Sequence, residues 1–406
     1  MSRVRLGLRA NAAQFSLLVG LNAVVGATVG LERSVLPLVG EEEFGLASKT
    51  AILSFVVAFG AAKALANLAS GPLADRAGRR RVLLLGWALA LPAPLLVGLA
   101  ESWAWIVGAN LLLGASQGLA WSMTVLMKID LAGPRRRGLA LGLNESAGYL
   151  GLALTALLTG ALAGAVAPRT LVWTGALLFS AMGLAVTLVF IRETADHARA
   201  EQRVHVGFRR PAGLLRACAQ VGFVNNANDA FAWGLLPIYL AANGASAAEI
   251  GLVAGIYPAV WGAGQLATGA LSDAMGRIPL VTAGMLTQAA AHVVFLAGGG
   301  AFAPAIAAAA VLGLGTALVY PTLIAAVSDA VEPRHRAGAV GVYRFWRDAG
   351  LVAGALGVGI ASDVLGSGTA IAIVGGVTAL SGLSFFVTTF QSRDDIPGGR
   401  HRWQLT

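Results

Sequence analysis

Twelve long apolar runs separated by short polar connections constrain this chain more than any other feature. A helix that crosses some 30 Å of hydrocarbon needs about 20 mainly apolar residues, each adding about 1.5 Å. By that measure the sequence predicts spans over residues 12–40, 46–70, 82–100, 103–127, 138–166 and 170–191. Six more follow at 212–242, 247–269, 279–299, 302–327, 338–364 and 369–390. Charged residues make up only 12% of the chain, about half the share that covers a soluble surface. The basic start followed by residues 12–40 is too long for the apolar stretch of a signal peptide, so it reads as a retained first helix. Cys218 is the only cysteine, which excludes disulfide frameworks and cysteine-held zinc or iron–sulfur sites. The expected class is therefore an all-α integral membrane protein.

The charges give an orientation. Cytoplasmic loops carry the excess of Lys and Arg, and an inside N-terminus groups nearly all of them on one side. The inside connections hold Arg3, Arg5 and Arg9; Arg76, Arg79, Arg80 and Arg81; Lys128, Arg135, Arg136 and Arg137; and Arg192 to Arg216 in the centre. Arg277, Arg334, Arg336, Arg393, Arg400 and Arg402 complete the set, leaving only Lys49 and Arg169 outside. The net charge of +9 is thus a topology signal with affinity for anionic headgroups, and no nucleic-acid partner is needed to explain it.

The longest polar connection, 192–211, divides the chain into an N-terminal half, 1–191, and a C-terminal half, 212–406. An internal repeat supports that division. Gly71-Pro-Leu-Ala-Asp75-Arg-Ala-Gly78-Arg79 recurs as Gly269-Ala-Leu-Ser-Asp273-Ala-Met-Gly276-Arg277, each after the second span of its half. Asp130 to Arg137 recurs as Asp329 to Arg336, and Leu36-Pro37 as Leu236-Pro237. Repeats of this kind build secondary transporters, whose substrate site lies near midplane where the halves meet.

These residues resemble the major facilitator superfamily over essentially the whole chain. Its signature loop, GxLaDrxGrr, is matched by Gly71, Leu73, Asp75, Arg76, Gly78, Arg79 and Arg80, and more weakly by Gly269, Leu271, Asp273, Gly276 and Arg277. Gly71 and Gly78 supply the freedom for a tight reversal. The resemblance implies two six-helix bundles with both termini cytoplasmic. It also implies that Asp75 latches the start of span 11 near Ala337 when the protein faces outward, while Asp273 addresses span 5 near Gly138. The pattern is closest to drug and metabolite antiporters, with departures: Gly114 stands where they carry a span-4 arginine, and Gly148-Tyr149-Leu-Gly151 lacks the span-5 proline.

Charged side chains inside a span are costly and mark pathways or pairs. Four are basic (Arg33, Lys63, Arg344, Arg347) and four acidic (Glu32, Glu145, Asp229, Asp348), and the equal numbers point to pairing. Glu32 and Arg33 approach the outer interface, as a snorkelling pair or an external gate. Asn22 lies near midplane, as do Asn225, Asn226, Asn228 and Asp229; Asn225, Asn228 and Asp229 project from one face by their spacing. Asp229 is the first choice for a carboxylate that changes protonation during transport. Arg344 and Asp348 are spaced to neutralise each other, Lys63 and Asp348 form an inter-domain gate pair if span 2 faces span 11 as in the superfamily, and Gln265 is a partner for Glu145. Arg347 is left without an evident partner, which keeps an anionic substrate open. Gln117, Trp121, Tyr257, Trp261 and Tyr320 either line the cavity or pack, and His292 is peripheral.

The reading is a secondary carrier that works by alternating access. It has no nucleotide-binding loop of the GxxxxGK(S/T) form, so protons are the expected driver and no cofactor is needed. The expectation is proton-coupled efflux of a small organic compound by a monomer in the inner membrane; the alternative is uptake or exchange of a small anion. The five histidines form no metal or catalytic cluster in sequence, which argues against an enzyme.

Overall fold

The computed structural model describes residues 7–132, 137–197, 212–331 and 336–394, and among these residues there is no strand. The N-terminal half holds α1 (Ala12–Glu42), α2 (Lys49–Ala77), α3 (Arg79–Gly98), α4 (Trp103–Ala132), α5 (Arg137–Leu162) and α6 (Pro168–Phe190). The C-terminal half holds α7 (212–242), α8 (Ala247–Met275), α9 (Arg277–Ala297), α10 (Phe302–Asp329), α11 (Arg336–Leu365) and α12 (Ser367–Asp394). Ten of them contain a stretch long and apolar enough to cross a membrane. The other two, α4 and α7, are long enough, but Asn110, Gln117 and Lys128 interrupt α4, and four polar residues in five interrupt α7. The twelve expected spans are thus present as helices. Lys128, expected in a basic loop, is instead buried, with its Nζ donating to the Leu18 carbonyl at 2.8 Å.

Proline sets matching bends in α1 and α7. Pro37 and Pro237 have no N–H to return to the carbonyls of Arg33 and Trp233. In α1 the ladder breaks at Ser34 and Val35, between Ala12–Arg33 and Leu36–Glu42. In α7 the stretch Phe231–Leu235 widens to a π-helix between Ala212–Ala230 and Leu236–Ala242, with the Leu236 N–H donating to the Phe231 carbonyl. Such widened turns concentrate at functional sites.

The signature loop is tighter than its sequence suggests. Helix α2 runs through Gly71 to Ala77, and the reversal rests on Gly78 alone, at φ +88°; Gly276 repeats it at φ +88°. A side chain at either position would be strained. Glu193, just past α6, accepts the Arg79 and Arg80 backbone N–H groups at 3.1 Å each and so caps α3. Burial raises the Glu193 carboxyl, but backbone donors from Arg80, Thr194, Ala195 and Arg79 outweigh it and hold the group below its ordinary range.

The halves meet along α2–α11 and α5–α8, and both contacts taper. At the end opposite the basic loops, the distal end, a Cβ added to Gly160 on α5 would lie 2.5 Å from the Gly251 Cα on α8. At the basic end the same test at Gly142 meets its nearest atom, the Gln265 carbonyl oxygen of α8, only at 3.8 Å. The distal end is therefore closed, and the helices part toward the basic loops. A carboxylate fastens the closed end. Asp363, in the last turn of α11, accepts from Ser48 Oγ (2.8 Å), Lys49 N (2.6 Å), Thr50 N (3.0 Å) and Thr50 Oγ1 (2.7 Å) at the start of α2. An anion there also meets the positive end of the helix dipole.

Removing that fastening is expected to open the distal end. In a Cys218→Ser background, Asp363→Ala should raise the labelling rate of Leu53→Cys, now buried against Gly234, by about tenfold, the worth of one charge-assisted hydrogen bond. An unchanged rate would show that Asp363 does not hold this end shut.

Candidate substrate and coupling site

Between the halves lies a cleft lined by Lys63 and Asn67 of α2, Trp121 of α4, Tyr149 of α5, Tyr320 of α10, and Arg344, Arg347 and Asp348 of α11. Its empty space, including the part open to solvent, is about 290 Å³. Aromatic rings form one wall: Tyr149 stacks on Trp261 with centroids 3.6 Å apart and meets Trp121 at 5.2 Å.

Six of the eight membrane charges, all but Glu32 and Arg33, form ion pairs that join both halves. Arg347 lies 3.3 Å from Asp229 and 3.4 Å from Asp348, with its guanidinium 4.4 Å from the Tyr320 ring centre. The sequence left it without a partner; folding supplies one 118 residues away. Lys63 sits 3.7 Å from Asp348 across α2 and α11, and Asn67 Nδ2 donates to the same carboxylate. Arg344 turns away from Asp348 and toward Glu145 on α5, at 3.5 Å. Glu145 also accepts from Trp121 Nε1 (3.0 Å) and Tyr320 OH (3.2 Å), whereas Gln265, its expected partner, is buried with both ends of its amide unpaired. Tyr257 OH donates to Asp229 and fixes it on the side away from Arg347.

Several expected site residues face other helices. Asn22 donates to the Asn144 carbonyl at 2.7 Å and accepts from Thr124 at 2.8 Å, so its amide is occupied between α1, α4 and α5. Asn225 accepts from Gln288 of α9 at 2.8 Å, and Asn228 donates to Gln288 at 2.9 Å and accepts from Thr378 of α12 at 3.3 Å. The single face predicted for Asn225, Asn228 and Asp229 is thus divided, with Asp229 alone turned toward α11. Asn226 donates to the Arg347 carbonyl at 2.9 Å, positioning the helix that carries the cation. Gln117 is buried with its carbonyl oxygen unpaired. His292 is buried beside Phe231, with Nδ1 2.9 Å from the Gln288 carbonyl. Glu32 and Arg33, expected near the interface, are buried at 3% and 0% exposure, so Arg33 does not snorkel.

A family model, Major Facilitator Superfamily, matches residues 18–220 and again 218–404. The chain belongs to the major facilitator superfamily. It is a secondary transporter and a multi-pass membrane protein, not an enzyme. Among solved structures it is similar to the human organic anion transporter MFSD10 (TETRAN), with a TM-score of 0.71, 18% identity, and coverage of 92% of this chain and 99% of that one. No curated protein matches the sequence.

In this superfamily member the signature-loop Asp75 is exposed, and its partner among the described residues is Arg79, at 3.5 Å. Arg79 also reaches Asp130 at 3.4 Å. In the second loop Arg277 bonds Ser272 and lies 3.3 Å from Asp329; the Asp273 side chain, Ala337 and Gly138 side-chain contacts, and loop residues Arg135, Arg136 and Arg334 lie outside the described residues. The sequence reading missed Asn67 and Tyr149. Both stand four residues after a recognised charge, Lys63 and Glu145, and that spacing is the signal that would have found them.

Glu145 and Arg344 give a measurable test of the network. Glu145→Gln leaves a buried guanidinium without its carboxylate and should lower unfolding stability by about 3 kcal/mol. Adding Arg344→Gln should recover most of that loss in the same detergent unfolding assay; equal or additive losses would mean that the two do not interact.

Proposed function

We propose that this transporter carries a small organic anion together with a proton. The observation that carries the reading is the imbalance of the cleft wall: three cations, Lys63, Arg344 and Arg347, face it with one carboxylate, Asp348. The arginines offer planar forks suited to a carboxylate, sulfonate or phosphate, and Trp121, Tyr149 and Tyr320 suit an apolar body. The fold neighbour named as an organic anion transporter is in keeping with this class.

Coupling follows from partner exchange. An incoming anion competes with Asp229 for Arg347, and a carboxylate that loses its guanidinium in an apolar site is neutralised by a proton. Anion and proton are then bound together, and each raises the affinity for the other by the same factor. Neutral Asp229 frees α7 from α11, and the bundles rock about the cleft. With the basic end cytoplasmic, as the loop charges favour, the described state faces inward. The proton gradient of the inner membrane would draw the anion in. One chain holds both gates, so a monomer suffices.

A second reading, proton-coupled efflux of a small organic compound, is favoured by the aromatic wall, which accepts amphipathic molecules of any charge. The sign of proton movement separates the two. In proteoliposomes with a trapped pH dye, an inward gradient of benzenesulfonate, phenylphosphate or hippurate should carry protons inward. Asp229→Asn should abolish proton movement while leaving anion exchange, and Arg347→Gln should abolish both. Outward proton movement evoked by neutral or cationic aromatics would establish efflux by exchange, and no response to any anion would overturn the first reading.

A further inference from the structure

Arg33 is fully buried, and none of its three side-chain nitrogens has a hydrogen-bond partner. Among the described residues it also has no ion pair, unlike Arg344 and Arg347. What surrounds its guanidinium is aromatic: Phe59 at 4.6 Å and Phe55 at 5.5 Å, both on α2, and Trp233 at 5.5 Å on α7. Ring faces attract a cation but leave its N–H groups unsatisfied. The neighbouring polar atoms are equally unspent, for Glu32 Oε2, Ser34 Oγ and Trp233 Nε1 lack partners as well. Glu32, adjacent in the chain and hydrogen-bonded by Asn110, and Asp229 act on Arg33 through their charge alone, without a hydrogen bond to it.

Arg33 ends the first segment of α1, where Pro37 breaks the helix, and Trp233 lies in the π-helical turn of α7 before Pro237. The two residues come from opposite halves and meet where both helices bend, at the closed distal end. Rocking that opens this end separates Trp233 from Arg33. Five N–H donors are then presented to the distal solution with no carboxylate bonded to them.

We propose that Arg33 is a second anion receptor, which takes the acidic group of an aromatic substrate when the distal end is open, with the rings of Phe55, Phe59 and Trp233 occupying that place when it is closed. The inference rests on the anionic-substrate reading and assigns that substrate its distal-side contact. Arg347 and Arg344 hold the anion at the cleft, and Arg33 receives it on the other side of the gate. Trp233 then acts as a competitor for the guanidinium, and its removal should strengthen binding, which a purely packing role would not produce.

The test is equilibrium binding of radiolabelled benzenesulfonate to the full chain in lipid nanodiscs, with unlabelled benzenesulfonamide as the neutral control. In an Asp363→Ala background, which loosens the distal fastening, Arg33→Gln should weaken benzenesulfonate binding by about tenfold or more, the worth of a charge-assisted bond. Arg33→Lys should retain most of the affinity, and Trp233→Leu should raise it severalfold; these two report even where Arg33→Gln lowers the folded yield. If Arg33→Gln binds like its parent and Trp233→Leu weakens binding, Arg33 is only gate packing and the inference is overturned, while loss on Arg347→Gln would leave the anion reading standing. If the parent prefers benzenesulfonate to benzenesulfonamide in no background, both fall.

Discussion

An unpaired charge in an apolar bundle is costly, and to the eight charged side chains singled out in the spans this chain adds a buried Lys128 in α4. Most of the architecture around the cleft follows from how they are neutralised. Lys63 meets Asp348, and Glu145 meets Arg344, each across the boundary between the halves, at 3.7 and 3.5 Å. Arg347 and Asp229 join α11 to α7 within one half, at 3.3 Å. The same contacts that make burial tolerable therefore determine which helices move together, and a substrate that takes one partner from a pair changes the packing of both.

Gene-level repetition supplies the moving parts. Pro37 and Pro237 break corresponding hydrogen-bond ladders, so α1 and α7 bend at matching positions. Gly78 and Gly276 make corresponding reversals at φ +88°. The repeat is not carried into the chemistry: Glu145 and Arg344 align within it yet have opposite charge, and Arg33 has Trp233 near its counterpart position. Symmetric hinges thus enclose an asymmetric set of charges.

The spans and the division into halves were legible because lipid imposes length and apolarity on each helix, and loop charge adds direction. The Lys63–Asp348 pair followed from which helices face each other in the superfamily. Partners that depend on the rotation of a helix were not legible. Asn225, Asn228 and Asp229 span about 100° of a helical surface, wide enough to address α9 and α11 at once, and nothing in the spacing says which residue takes which neighbour. Arg347 looked unpaired because Asp229 lies in another helix 118 residues away. Gln288 and Asp363 were not singled out, since one polar residue in a peripheral helix or at a helix end carries no local pattern; only the facing Asn side chains and the α2 terminus give them roles.

The central claim is that an anion displaces Asp229 from Arg347 and that a proton takes the guanidinium's place. Infrared difference spectroscopy of the reconstituted protein reads that event directly through the C=O stretch of a protonated carboxyl. Adding benzenesulfonate should produce a positive carboxylic-acid band and a matching loss of carboxylate signal, both absent in Asp229→Asn. Binding of the anion with no such band, or a band that persists in Asp229→Asn, would contradict the account.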